Sequence, residues 1–266
     1  MPFTPSHAVV ALPFVRTPLV PAAVAIGAMT PDLALFTRGI GVTYGFLHAV
    51  PNLLWTSLIA AVLLLIWRVV LRPASVELVP AAVAARLPDE WRTRGADAAR
   101  DTFVRAGRPW YPMLLLVSLM IGVLSHILWD SFTHEGRWGV QLLPFLKEPW
   151  GSLLGYKWLQ YGSGLFGLIV LAVYAAVWLR RQPVHPPAQT VPRWLPAVWI
   201  GGLPVLLAGA LGVGYAVWGP FTAEFTPAHL AYRTLPPVCG LWGAATFVLC
   251  VVLILRTPVR AASATR

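Results

Sequence analysis

His126, Asp130 and His134 stand four residues apart in the stretch Ser125-His126-Ile127-Leu128-Trp129-Asp130-Ser131-Phe132-Thr133-His134-Glu135-Gly136. On a helix continuing through the stretch, they lie on one face, an imidazole, a carboxylate and a second imidazole in a single stripe. Helical metal ligands use this i, i+4 spacing. A plainer reading stands beside it: a histidine near the end of a membrane helix anchors at the interface, and Asp130 is an ordinary helix-end residue. The stretch lies at the end of an apolar run, where an unpaired charge costs on the order of several kcal/mol. That cost makes His126 and Asp130 functional candidates, and the question becomes which other polar residues reach them.

The elements that would position these groups are membrane helices. Of the 266 residues, 58% are hydrophobic and only 11% charged, far from the even apolar share and quarter of charges in a soluble domain. Mean hydropathy is +0.69. Thirteen tryptophans suit the aromatic belts at membrane interfaces. The net charge of +10 reads as cytoplasmic loop arginines; no nucleic-acid motif accompanies it, and nucleic acid is not expected as a partner. Cys239 and Cys250 fall on one predicted helix, about 16 Å apart along its axis, so neither a disulfide framework nor a cysteine metal site is expected. The N-terminus lacks the pattern of a cleaved signal peptide.

The pattern predicts an all-α, polytopic membrane bundle forming one membrane domain over 1–266. Five full spans are expected at 50–71, 113–129, 161–179, 196–218 and 236–255. A polar, arginine-rich cytoplasmic linker occupies 72–112 and an outer loop 130–160. Residues 1–49 differ. Pro13, Pro18, Pro21 and Pro31 interrupt two apolar pieces, neither of which reaches the ~20 residues a span needs. A re-entrant or interfacial helical hairpin fits them better than one crossing.

Orientation follows from the basic residues. Eight arginines lie between Arg68 and Arg108, and Arg180, Arg181, Arg193, Arg256 and Arg260 mark the other cytoplasmic segments. The start of the first span and the end of the second then face outward. His48 and Asp32 converge with His126, Asp130 and His134 on that face. His7 joins them only if the N-terminal segment is a hairpin. Histidines and carboxylates together suit zinc, with manganese or iron as alternatives. Such an ion lowers the pKa of a bound water toward ~7 and makes hydrolysis available.

Pro2-Phe3-Thr4-Pro5-Ser6-His7, the segment from Gly27 to Pro31-Asp32, His48, and Ser125 to His134 resemble the bacterial DUF4184 membrane family over most of the chain. The ligand order resembles the wider set of membrane-bound metal-dependent hydrolases of the YdjM type and, more distantly, the zinc-dependent phospholipase C and P1 nuclease fold. That resemblance implies His7, Asp32, His48, His126 and Asp130 as metal ligands, with His134 a further ligand or a group supporting them. It implies one or two ions only, since neither His185 nor His229 has an acidic partner at the spacing of the soluble enzymes' later pair.

The function expected is a metal-dependent hydrolase in a bacterial cytoplasmic membrane, with its site at the outer face and Asp130 and His134 in the chemistry. A phosphoester of lipid or envelope origin is the substrate class, and membrane lipid the partner. Two rivals remain open: an ion- or proton-coupled transporter, and a scaffold with a structural metal. Glu135, Glu148, Trp150, Tyr156, Lys157, Trp158 and Gln160 are outer-loop candidates for a pocket wall, with interface anchoring the plainer reading.

Overall fold

The computed structural model describes residues 4–38, 40–185 and 189–256; Pro2, Phe3 and Arg260 lie outside them. The protein is all-α and polytopic. Among the described residues, five helices are long and apolar enough to cross a membrane: Val50–Leu78, Tyr111–Thr133, Gly155–Arg181, Trp194–Trp218 and Pro227–Arg256. They are called the first to fifth spans below. The only strand pairing among the described residues is two residues long, Pro149–Trp150 against Leu153–Leu154.

The chain forms two compact units. One comprises residues 1–65 and 100–181, the other 66–99 and 182–266. In the second unit, Ala74, Leu78, Cys250 and Leu253 form a small core. Glu77 is buried there and accepts the backbone N–H of Thr190 at 2.7 Å. The Gln189 amide donates to the carbonyls of Val76 and Val79 at the end of the first span. These bonds satisfy carbonyls that a helix end leaves without partners.

The first unit holds the candidate chemistry. A 3-10 helix, Thr4–Phe14, precedes a turn and the α-helix Pro21–Met29, and the prolines set the breaks. The two arms fold back on each other, so that Thr4 reaches Asp32. The returning arm packs along the second span in a fixed parallel register. The Val20 N–H donates to Ser118 Oγ at 2.9 Å, and His126 Nδ1–H donates to the Ala28 carbonyl at 2.7 Å; both pairs are 98 residues apart. Between them Gly122 meets the backbone of Val24, Gly27 and Ala28, and Gly27 meets that of Leu119, so close that neither position has room for a Cβ. Small residues at four-residue spacing allow this backbone approach. One more step of the register places Asp32 beside Asp130.

Several helices run past the ends that hydropathy suggests, each for a local reason. The first continues through Pro73 to Leu78 because a wide π-turn, Trp67–Leu71, precedes the proline and relieves its clash with the preceding turn. The fifth starts at Pro227, a favoured first helical position, after Thr226, whose Oγ1 accepts the His229 N–H at 3.4 Å. The third starts at Gly155, six residues before the apolar stretch, and thereby lines Tyr156, Gln160, Gly164 and Gly167 along one buried face. The second ends at Thr133, and His134 has extended backbone (φ −125°, ψ 137°). The helix therefore stops one residue short of the stripe read from the sequence.

Candidate metal centre

Four elements of the first unit deliver the polar groups. Asp32 closes a 3-10 turn, Thr30–Asp32, after the returning arm of the hairpin. His48 follows the short helix Tyr44–Leu47, whose start is capped by Thr43 Oγ1 accepting the Phe46 N–H at 3.2 Å. His126 and Asp130 come from one face of the second span. His7 comes from the 3-10 arm. All five are buried, His126 completely.

The ring nitrogens are assigned by their backbone partners. His48 Nδ1–H donates to the Tyr44 carbonyl at 3.0 Å, and His126 Nδ1–H donates to the Ala28 carbonyl at 2.7 Å. In the neutral rings both Nε2 atoms are therefore unprotonated acceptors. Yet these two atoms face each other at 3.2 Å. Two lone pairs held together in a buried site repel unless a proton or a metal cation lies between them. Donating the other N–H to a backbone carbonyl is the usual arrangement for a metal-binding histidine.

The carboxylates complete the set. Asp130 Oδ2 lies 3.4 Å from His126 Nε2 and 3.6 Å from His48 Nε2. Asp32 Oδ1 lies 3.7 Å from His126 Nε2 and 4.0 Å from His48 Nε2. One ligand atom from each of the four residues falls within 4.8 Å of every other. Four ligands at about 2.1 Å from one ion stand about 3.4 Å apart in a tetrahedron. These separations scatter around that value, and the four that involve a carboxylate are too long for strong hydrogen bonds. Such spacing suits a shared cation. These four buried side chains can hold a metal ion, and the two carboxylates match the charge of a divalent one.

The remaining contacts set the shape of the centre. Asp32 Oδ2 accepts the Thr4 hydroxyl at 2.7 Å. Asp130 Oδ1 and His7 Nε2 face each other at 3.7 Å, and neither has a hydrogen-bond partner among the described residues. Buried polar atoms are nearly always paired, so these two leave room for one more partner, a water, an ion or a substrate atom. Burial, then the neighbouring His126, hold the His7 pKa down at about 3, so His7 is neutral and its ring stacks on His126 with centroids 4.1 Å apart. Tyr44 stacks on His48 at 3.7 Å. Burial, then Asp130 and Asp32, raise its hydroxyl pKa above the ordinary tyrosine range. His134 Nδ1 lies 3.5 Å from Asp130 Oδ2, and burial lowers its pKa.

Of the residues singled out from the sequence as ligands, Asp32, His48, His126 and Asp130 form the four-residue group, while His7 and His134 lie beside it, each against Asp130. Glu135 accepts the Tyr156 hydroxyl at 3.3 Å and is exposed, and Glu148 is exposed just before the short strand pair. Three participants carry weaker signals: Thr4 looks like a helix cap, Tyr44 like an interface aromatic, and Gln160 like a loop residue. Only the four-residue spacing of Tyr156, Gln160 and Gly164 would have placed Gln160 on an inward face.

The family described as a domain of unknown function, DUF4184, matches residues 1–255. The chain belongs to this family. No curated protein and no solved structure matches it. The DUF4184 match runs from the N-terminal hairpin to the fifth span and includes every residue of the centre. The family description states no activity, so the chemistry rests on the side chains.

Proposed function

We propose that this DUF4184 protein is a membrane-bound, metal-dependent hydrolase of the bacterial cytoplasmic membrane, acting at the outer face on a phosphoester of lipid or envelope origin. The observation that carries the reading is the pair of Nε2 atoms at 3.2 Å, both pointing into a carboxylate-lined centre. Asp32, His48, His126 and Asp130 hold one divalent ion, zinc by the chemistry of the donors. A bound ion supplies a Lewis acid that makes water nucleophilic near neutral pH.

The chain's own groups do the rest. The orphaned Asp130 Oδ1 and His7 Nε2 line the side of the centre on which a substrate oxygen would be received. Arg137 lies over the Tyr44 ring at 5.9 Å, and Lys157 lies beyond Gln160. Arg137 is one residue removed from the ligands and Lys157 two, and both cations are suited to an anionic headgroup. Among the described residues of this unit, every buried acid or histidine belongs to the centre, and the other buried polar groups of the first and second spans, Thr56, Ser57, Ser118, Ser131 and Thr133, are hydroxyls. That supports an enzyme over a proton or ion conduit, which needs titratable groups along its path.

Elemental mass spectrometry of untagged, detergent-purified protein tests the reading. Wild type is expected to carry about one zinc or similar ion per chain, and Asp130→Ala and Asp32→Ala to lose it. Hydrolysis of a phosphodiester reporter should disappear with the metal. A wild type that is metal-free and takes none up removes the chemistry.

A further inference from the structure

His134 lies beside the centre, and its protonation is set from outside it. Lys157 Nζ is 3.2 Å from Gln160 Oε1. An ammonium only donates, so the side of the amide facing Lys157 is its carbonyl. The amide nitrogen then faces His134 Nε2, at 2.9 Å. Because an amide N–H donates, His134 Nε2 must carry the lone pair, and in the neutral ring the proton belongs to Nδ1. That nitrogen lies 3.5 Å from Asp130 Oδ2 and 3.1 Å from Thr133 Oγ1. Gln160 is completely buried, and an amide in that position keeps its orientation because the alternative sets its NH2 group against the Lys157 ammonium, donor against donor.

We infer that Lys157, Gln160 and His134 form a directional hydrogen-bond relay that fixes His134 as the Nδ1–H tautomer. His134 is then a positioning residue that presents a donor to the Asp130 carboxylate from outside the ion. It is not a ligand: its one lone pair is taken by Gln160. The helical start of the third span at Gly155 is what carries Lys157 and Gln160 on one side of its first turns toward the second span. Trp129 Nε1–H donates to Ser163 Oγ at 3.1 Å one turn further along and holds the same two helices in register. The link to metal binding rests on the proposed hydrolase centre; the tautomer assignment does not.

The test is nitrogen-15 NMR of the full chain in detergent, with histidine imidazoles labelled and His134 assigned by its loss in His134→Asn. In metal-free wild type, His134 should show the Nδ1–H pattern, the minority form of free histidine. In Gln160→Glu the partner becomes an acceptor, and His134 should move to Nε2–H. Lys157→Met lies at the half-buried end of the relay and leaves the packed core intact; it should shift the same signals toward the mixed solution pattern. Zinc titration of the same samples should show affinity about 10- to 100-fold weaker in Gln160→Glu, the usual cost of disturbing a group behind a ligand. An Nε2–H or doubly protonated His134 in wild type, or one pattern in all three proteins, overturns the relay. The same zinc affinity in Gln160→Glu as in wild type overturns its positioning role. If wild type binds no zinc, the hydrolase reading fails while the tautomer result still decides the relay.

Discussion

At the scale of residues, the centre depends on uncharged groups that orient the charged ones. The Thr4 hydroxyl is the donor to Asp32 Oδ2, and it leaves Oδ1 directed at the two imidazoles. Thr4→Val keeps the shape and removes the donor, leaving a buried carboxylate oxygen without a partner, a cost of about 1–3 kcal/mol. We expect zinc affinity to fall about tenfold and Thr4→Ser to restore it; equal affinity in wild type and Thr4→Val would show that Asp32 is oriented by something else. The acids and imidazoles themselves were legible in the sequence, because Asp32, His48, His126 and Asp130 stand out against an apolar background where each needs a reason. Thr4 and Gln160 were not. A hydroxyl or an amide is compatible with a cap, a loop or an interface, and nothing in spacing says that a threonine will meet an aspartate 28 residues away.

At the scale of elements, the N-terminal hairpin makes the site possible. Its returning arm shadows the second span at a constant offset, so that each four-residue step adds a contact and the last step brings the two aspartates together. Gly122 and Gly27 set the approach. A Cβ on Gly122 points into the backbone of Val24 and Ala28, which cannot move aside as a side chain could. Gly122→Ala should therefore lower thermal stability by about 1–3 kcal/mol and abolish stoichiometric zinc, by separating Asp32 and the Ala28 carbonyl from His126. Gly162→Ala is the matched control, since nothing lies within 4 Å of its Cβ, and it should keep both; metal retention in Gly122→Ala would refute the register. Hydropathy located the five spans well, because an apolar run of about 20 residues is too long for the core of a small soluble domain and matches the thickness of a bilayer. It misjudged their ends at Pro73, Gly155 and Pro227, where a π-turn, a polar first turn and a capping threonine decide. The hairpin's parallel register was invisible, since helix pairing through backbone contact leaves only scattered glycines in the sequence.

At the scale of the molecule, the hairpin reconciles two demands that compete in the first fifty residues. His7 and Asp32 must lie on the face where the second span ends, yet Arg16 between them is a positive residue of the kind that stays cytoplasmic. Val20 is level with Ser118, only seven residues, or about 10 Å, from the start of the second span at Tyr111. The turn beyond it carries Arg16, exposed, toward the Tyr111 end of that span, the end that the arginine distribution predicts to be cytoplasmic, while both arms return toward Thr133. In this proposed arrangement a segment that does not cross obeys the charge rule and still delivers two groups to the end of the second span at Thr133. Labelling with a membrane-impermeant thiol reagent, in a background lacking Cys239 and Cys250, distinguishes this from a crossing. Pro5→Cys and Gly45→Cys, on the two flanks of the hairpin, should both react from outside intact cells, as should Ser152→Cys. Arg16→Cys and Asp97→Cys should react only after permeabilisation. If residues 19–36 crossed the bilayer, Pro5→Cys would label with Asp97→Cys, His7 would lie on the opposite face from Asp130, and the 3.7 Å approach of their side chains could not exist in the membrane-bound protein.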